Sequence, residues 1–148
     1  MKIKTASFIS VILFNTATWA QVDVQSYPAP LVSKSLLLDI AQSESRLIAV
    51  GERGHVLLSK NTQDWSQVIV PSEATLTAVD FNTDKGWAVG HDTTILMTND
   101  AGVSWSLQYH SPQMQRPLLD VHFFDAHHGI TIGAYGTFFR TQDGGVTW

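Results

Sequence analysis

The side chains that could carry acid–base or ligand chemistry are thirteen carboxylates, six histidines and four arginines, with no cysteine. The lack of thiols removes disulfides, thiolate zinc sites and cysteine nucleophiles from consideration. Asp39, Asp80 and Asp120 read as equivalent first-strand positions of three neighbouring repeats and would converge there. Two carboxylates hydrolysing a glycoside must share one cleft at about 5–9.5 Å. Asp39 and Asp120 instead alternate with apolar residues, which reads better as the polar side of a strand. His122 lies on such a polar side, and His127-His128 falls in a turn before Gly129. Adjacent histidines do not readily share one ion, and no H-x-H or H-E-x-x-H spacing occurs. His91 and Asp92 have only their proximity in favour of a site. No catalytic residue, metal ligand or cofactor site is assigned.

Any such residue must be positioned by the elements around it, and composition bounds these. The chain has 148 residues, 44% of them hydrophobic and 15% charged, which suits one modest domain with a real core. A net charge of −4 argues against a nucleic-acid partner or an anionic membrane surface. Lys2 and Lys4, then the apolar run Ala6–Phe14, then Thr18 and Ala20 before a cleavage point, read as a secretory signal peptide over residues 1–20. The run is too short to span a membrane as a helix. Cleavage leaves seven basic and thirteen acidic residues, a formal charge of −6. The product is expected to be exported, periplasmic or extracellular, with no transmembrane anchor.

After an N-terminal extended segment, residues 21–35, the chain repeats itself three times, over 36–74, 75–116 and 117–148. Gly51, Gly90 and Gly133 mark one landmark, and Trp65, Trp105 and Trp148 another, at a period near 40 residues. Leu119, Val121 and Phe123 alternate with polar residues, the period of a strand. Leu47–Gly51, Gly86–Gly90 and Gly129–Gly133 read as second strands. Gly54, Thr93 and Gly136 punctuate hairpin turns after them. Third strands are expected at His55–Ser59, Thr94–Thr98 and Thr137–Thr141, and fourth strands at Trp65–Val70 and Trp105–Tyr109. Four strands per period describe a β-propeller blade. The fold class is all-β, a partial propeller of about three blades with the third incomplete. It is expected to be an N-terminal fragment of a six- or seven-bladed propeller, the alternative being a short protein completed by self-assembly.

Between strands three and four lies the most specific motif, S/T-x-D-x-G-x-[ST]-W, the Asp-box or BNR signature. Thr98, Asp100, Gly102, Ser104 and Trp105 fit it, as do Thr141, Asp143, Gly145, Thr147 and Trp148. The carboxylate can accept nearby backbone N–H groups, the glycine permits a positive φ, and the indole packs on the blade. Ser59, Asn61 and Trp65 form a degenerate copy, one residue short and without glycine, for which a looser turn is expected. The motif reads as a structural staple and not as a ligand site.

Together with the V-G-x-x-G strands and the signal peptide, these boxes make residues 36–148 resemble the photosystem II stability/assembly factor-like family of BNR-repeat propellers. The resemblance implies a non-catalytic scaffold that binds a partner protein, in photosynthetic hosts a newly made membrane reaction-centre subunit. No cofactor is called for, and the net charge argues against a nucleic-acid partner. The alternative is a secreted sialidase-like or other glycoside hydrolase with its catalytic residues in downstream blades. Sialidase resemblance would require three arginines on one carboxylate and a Tyr/Glu pair. Arg46, Arg53, Arg116 and Arg140 occupy different places in the repeat, and Tyr109 and Tyr135 are nucleophiles by residue type alone. For partner binding the candidate rim is Glu52-Arg53, His91-Asp92 and Ala134-Tyr135, with Arg53 and Tyr135 as anchors.

Overall fold

The structure, a computed structural model, describes residues 24–148; the expected signal peptide lies outside the described residues, as do residues 21–23 of the extended segment. Within them the chain forms three antiparallel meanders and single 3-10 turns, with no α-helix. The first sheet contains β1 (Leu37–Gln42), β2 (Leu47–Gly51), β3 (Val56–Ser59) and β4 (Ser66–Val68). The second contains β5 (Leu76–Asn82), β6 (Lys85–Gly90), β7 (Thr94–Thr98) and β8 (Ser106–Tyr109). The third contains β9 (Leu118–Phe123), β10 (Gly129–Gly133) and β11 (Phe138–Thr141). Each sheet runs in sequence order, and β1, β5 and β9 pack side by side as the innermost strands. This is the partial propeller that the repeats call for.

The landmark glycines owe their place to crowding, not to turn geometry. At Gly51, Gly90 and Gly133 the backbone is extended, near φ −170°, −174° and −155°. A Cβ there would lie 2.1, 2.1 and 2.4 Å from the carbonyl oxygens of Leu36, Thr75 and Pro117. Those carbonyls belong to the segment entering each innermost strand, and each accepts the N–H one residue beyond the glycine, from Glu52, His91 and Ala134, at 2.9–3.0 Å. The entry to each inner strand is thus pressed onto the second strand, where a bulge follows in register.

Pleating gives every sheet two different apolar faces, and the core is built where they meet. Ile48, Val50, Val56 and Leu58 of the first sheet receive Leu76, Val79, Ala88, Leu96 and Trp105 of the second. Trp87, Val89 and Ile95 of the second receive Leu118, Val121 and Phe123 of the third, with Phe139 and Trp148 against them. Trp87 is fully buried, stacks on Phe123 with ring planes 4° apart, and donates its indole N–H to Gly144 O at 3.1 Å. Phe81 meets Trp105 edge-on at 6.2 Å, as Phe123 meets Trp148 at 5.8 Å. Both rings lie over a glycine, Gly86 or Gly129, where a Cβ would intrude to within 2.4–2.6 Å. The first sheet has Gln42 and Leu47 at these two positions, and its Trp65 is only half-buried.

The N-terminal segment borders the outer strand of the first sheet. Ser26 N–H donates to Val70 O, and Val70 N–H to Ser26 Oγ. The Gln67 amide bridges Ala29 N–H and Tyr27 O at 2.8 Å each.

Gly90→Ala forces a methyl group into the Thr75 carbonyl and is expected to lower unfolding free energy by about 1–3 kcal/mol. Urea denaturation followed by tryptophan fluorescence measures it.

Candidate binding face

The two complete Asp boxes are superimposable as hydrogen-bond networks. Thr98 Oγ1 donates to Asp100 Oδ1 at 2.7 Å and accepts Gly102 N–H at 3.0 Å. Asp100 Oδ1 accepts Ser104 N–H at 2.9 Å, and Oδ2 accepts the Ser104 hydroxyl at 2.6 Å. Thr141, Asp143, Gly145 and Thr147 repeat every one of these bonds. Gly102 and Gly145 stand at φ +81° and +89°, the left-handed region that favours glycine. The indole N–H of Trp105 closes back on Gly102 O at 3.0 Å.

The first sheet's degenerate box closes through a different set of bonds, its Ser59 Oγ–Asn61 Oδ1 bond measuring 3.4 Å where Thr98–Asp100 measures 2.7 Å. Ser59 Oγ accepts Thr62 N–H at 2.9 Å, and Asn61 Oδ1 accepts both Gln63 and Asp64 N–H. Asn61 Nδ2 then donates to Asp64 Oδ2 at 2.8 Å, and Trp65 Nε1 to Thr62 O at 3.2 Å. Thr62 takes the left-handed conformation at φ 65° in place of glycine. One residue fewer is absorbed by an amide in place of the carboxylate and by a different donor set.

The boxes also face their neighbours. Gly102 lies against Leu58 and Ile48, and Gly145 against Trp87, each from the preceding sheet. Arg46 Nη1 donates to Asp100 O at 3.2 Å, and Lys85 Nζ to Ala126 O at 3.2 Å, across the same joints. These residues knit sheets together.

The three aspartates on the inner strands do not occupy one register position. Asp39 pairs opposite Val50 and Asp120 opposite Ile132, a position held by Ala78 in the second sheet. Asp80 stands two residues further on, opposite Trp87, where the third sheet has His122. Their oxygens serve the backbone. Asp39 Oδ2 accepts Val79 N–H at 2.8 Å, and Asp80 Oδ2 accepts Phe123 N–H at 2.7 Å, each from the next sheet. His122 Nδ1 lies 3.3 Å from Asp80 Oδ2. Thr77 Oγ1 adds a bond to Leu118 O at 2.7 Å. Carboxylates so engaged act as links between blades.

His127 and His128 are exposed in the β9–β10 turn, where Asp125 accepts both their N–H groups and the His128 ring. His127 N–H first, and then the His128 ring, hold the Asp125 pKa down to about 2. The Thr147 hydroxyl and N–H hold Asp143 well below the ordinary carboxylate range. At Asp100 burial pushes upward, but the bonds from Ser104, Thr98 and Val103 together outweigh it and the pKa is lowered. Burial lowers His55, with Glu52 opposing and Arg53 assisting.

The rim expected to recognise a partner is a row of type I′ hairpin tips. Arg53, Asp92 and Tyr135 hold φ 54°, 56° and 57°, followed by Gly54, Thr93 and Gly136, also at positive φ. The first residue of each pair is exposed, and Tyr135 is 83% exposed. Thr93, β-branched and fully buried, is held in the left-handed region by its hydroxyl bond to Arg116 O at 3.0 Å. Sequence pattern marks the turns through Gly54 and Gly136. It gives no sign that Arg, Asp and Tyr themselves take the left-handed site, since only Asp among them favours it. Beside Arg53 a recess of about 560 Å³ is lined by Tyr27, Pro28, Pro30, His55 and Glu73. No feature of the sequence points to that recess, because the N-terminal segment builds one wall.

A family model described as photosynthesis system II assembly factor YCF48 matches residues 57–113, a stretch that contains the Thr98–Trp105 box. The solved structure of YCF48 bound to D1 peptide is 25% identical with a TM-score of 0.66, covering 76% of this chain and 39% of that one. YCF48 from Cyanidioschyzon merolae is 25% identical with a TM-score of 0.68, covering 82% of this chain and 40% of that one. The chain resembles the photosystem II assembly-factor propellers. It spans about 40% of the length of these YCF48 chains. No curated protein matches it. Relative to YCF48, the matched segment holds the whole second sheet, with the Asp92 tip and a complete box.

Asp100→Ala removes the acceptor of the box and is expected to cost about 1–2 kcal/mol in urea denaturation. Asp100→Asn keeps an Oδ1 acceptor, as Asn61 does, and is expected to cost less. For acid stability the sign follows from lowered folded-state values. Asp125 and Asp143 contribute fully above the unfolded carboxylate pKa near 4, and their contribution is lost as pH falls through their lowered folded values, about 2 for Asp125. The urea midpoint is expected to drop between pH 4 and 2, and Asp125→Asn to flatten part of that slope.

Proposed function

We propose that this chain is an exported, non-catalytic propeller segment that recognises a partner protein through its hairpin-tip rim. The partner is a membrane protein under assembly, within photosynthesis where the host is photosynthetic. The observation that carries this reading is the similar solved structure, YCF48 bound to D1 peptide. What supports it in the chain itself is the rim. Arg53 and Tyr135 are residue types that anchor interfaces, mounted on tight turns that lose little entropy on binding. Asp39 and Asp80 on the inner strands, by contrast, are engaged with backbone N–H groups of the next sheet. Export rests on the order of Lys2 and Lys4, the apolar run and the small residues before position 21. Among the described residues no helix is long and apolar enough to cross a membrane.

Affinity capture from the host's membranes, with the full-length protein as bait, tests the reading. A defined membrane-protein complex is expected, and its recovery should fall at least about tenfold with the Arg53→Ala/Tyr135→Ala pair, the loss of one strong anchor. Hydrolysis of fluorogenic sialosides by the same protein, or capture indifferent to both tips, would overturn it.

A further inference from the structure

One buried titratable side chain has no part in the joints, the boxes or the rim. His55 follows the Arg53-Gly54 tip and is 5% exposed. Its Nδ1 has no hydrogen-bond partner among the described residues. The residues after the other two tips, Thr94 and Thr137, are also buried, but their hydroxyls are engaged. Thr137 Oγ1 donates to Ala134 O at 2.8 Å, and Thr94 Oγ1 lies 3.1 Å from His110 Nδ1. The sheet that carries a titratable ring at this place is the one that the N-terminal segment borders.

That segment is held by few bonds. Ser26 exchanges a pair with Val70, and the Gln67 amide takes Tyr27 O and Ala29 N–H. Ser26 is pressed against Gly54, where a Cβ would come within 3.2 Å of Ser26 Cβ. Tyr27, Pro28 and Pro30 share with His55 the walls of the 560 Å³ recess. We propose that residues 24–30 form a strap that closes over the neutral His55 ring and releases when the ring takes up a proton. The charged imidazole carries an N–H on both nitrogens, and Nδ1 has no acceptor to give its proton to. A charged donor left dry is costly, and opening the strap admits water to it.

The groups around the ring are Glu52 and Arg53 from its own hairpin, Glu73 from the link into β5, and Tyr27 from the strap. Burial has the largest effect and lowers the His55 pKa; Glu52 opposes it and Arg53 assists. The Glu52 carboxylate is already engaged, accepting Leu36 N–H at 3.1 Å. The sign follows from a folded value below the open one of 6.5. Closure is fully supported above that pH and weakens as pH falls below it, where the open form binds the proton. Release removes one wall of the recess and bares the chain edge at Val70. It is separable from partner capture, since neither Ser26 nor Gln67 belongs to the rim.

Residue-resolved amide exchange on the full-length protein, corrected for the intrinsic pH dependence of exchange, tests the strap. The N–H groups of Ser26, Ala29 and Val70 report its closure, and Gly102 N–H in the second box is the reference. Protection of the three is expected to fall at least about threefold from about pH 7.5 to about pH 5, with Gly102 unchanged. One histidine sets a ceiling of roughly thirtyfold. His55→Gln is expected to flatten this dependence. Gln67→Ala, which removes two strap bonds, gives the reciprocal measurement and serves even if His55→Gln frees the strap at every pH. Once exchange shows the strap loosened, the His55 ring followed by NMR should titrate closer to 6.5 than in the unaltered protein. Strap protection indifferent to pH overturns the proposal. So does a pH dependence that persists in His55→Gln, or a His55 titration that loosening the strap leaves in place.

Discussion

Each joint between sheets depends on an indole placed at the end of a turn that closes on itself. The carboxylate of Asp100 or Asp143 gathers its bonds from within five residues, so the turn needs no help from the rest of the fold. Its rigidity fixes where Trp105 and Trp148 emerge and presents Gly102 and Gly145 to the preceding sheet. Leu58 and Trp87 then rest on backbone with no intervening side chain. A local hydrogen-bond network is in this way converted into a tertiary contact. The hydrophobic joint would lose its register if the turn could flex, since the indole enters from the turn and not from a strand.

Around that contact a second set of bonds aligns the inner strands. Asp39 and Asp80 reach across to Val79 and Phe123 N–H groups, and Thr77 to the Leu118 carbonyl. The inner strands have no ladder partner on their axial side, so their free N–H groups would be costly if left dry. Aspartate side chains satisfy them and tie neighbouring sheets at the same time. This accounts for carboxylates clustered near an axis without assigning them proton transfer.

Much of this was legible because the repeat is written in local chemistry. Landmark glycines, alternating strands and the S/T-x-D-x-G-x-[ST]-W corners each report on fewer than ten residues, and the sheets follow from them. The register of Asp80 was not legible. It lies closer to its landmark glycine than Asp39 and Asp120 lie to theirs, and only the paired strands show that this puts it two register positions further along its strand. The way the first box closes was hidden for a related reason. A missing glycine and a missing carboxylate look like damage in a motif, whereas Thr62 and the Asn61–Asp64 pair rebuild the turn by another route. The left-handed tips were concealed because Arg53 and Tyr135 are poor residues for that conformation, and the hairpin imposes it on them.

The candidate rim follows from the same asymmetry that makes the joints. Because unlike faces meet at every joint, each sheet is related to the next by one rotation in one direction. Equivalent hairpin tips therefore point to the same side, and Arg53, Asp92 and Tyr135 stand in succession along it. The conserved element in that succession is the backbone, held at nearly the same φ in all three tips, while the side chain changes from cation to anion to phenol. A surface so built offers different chemistry at regular intervals on a fixed frame.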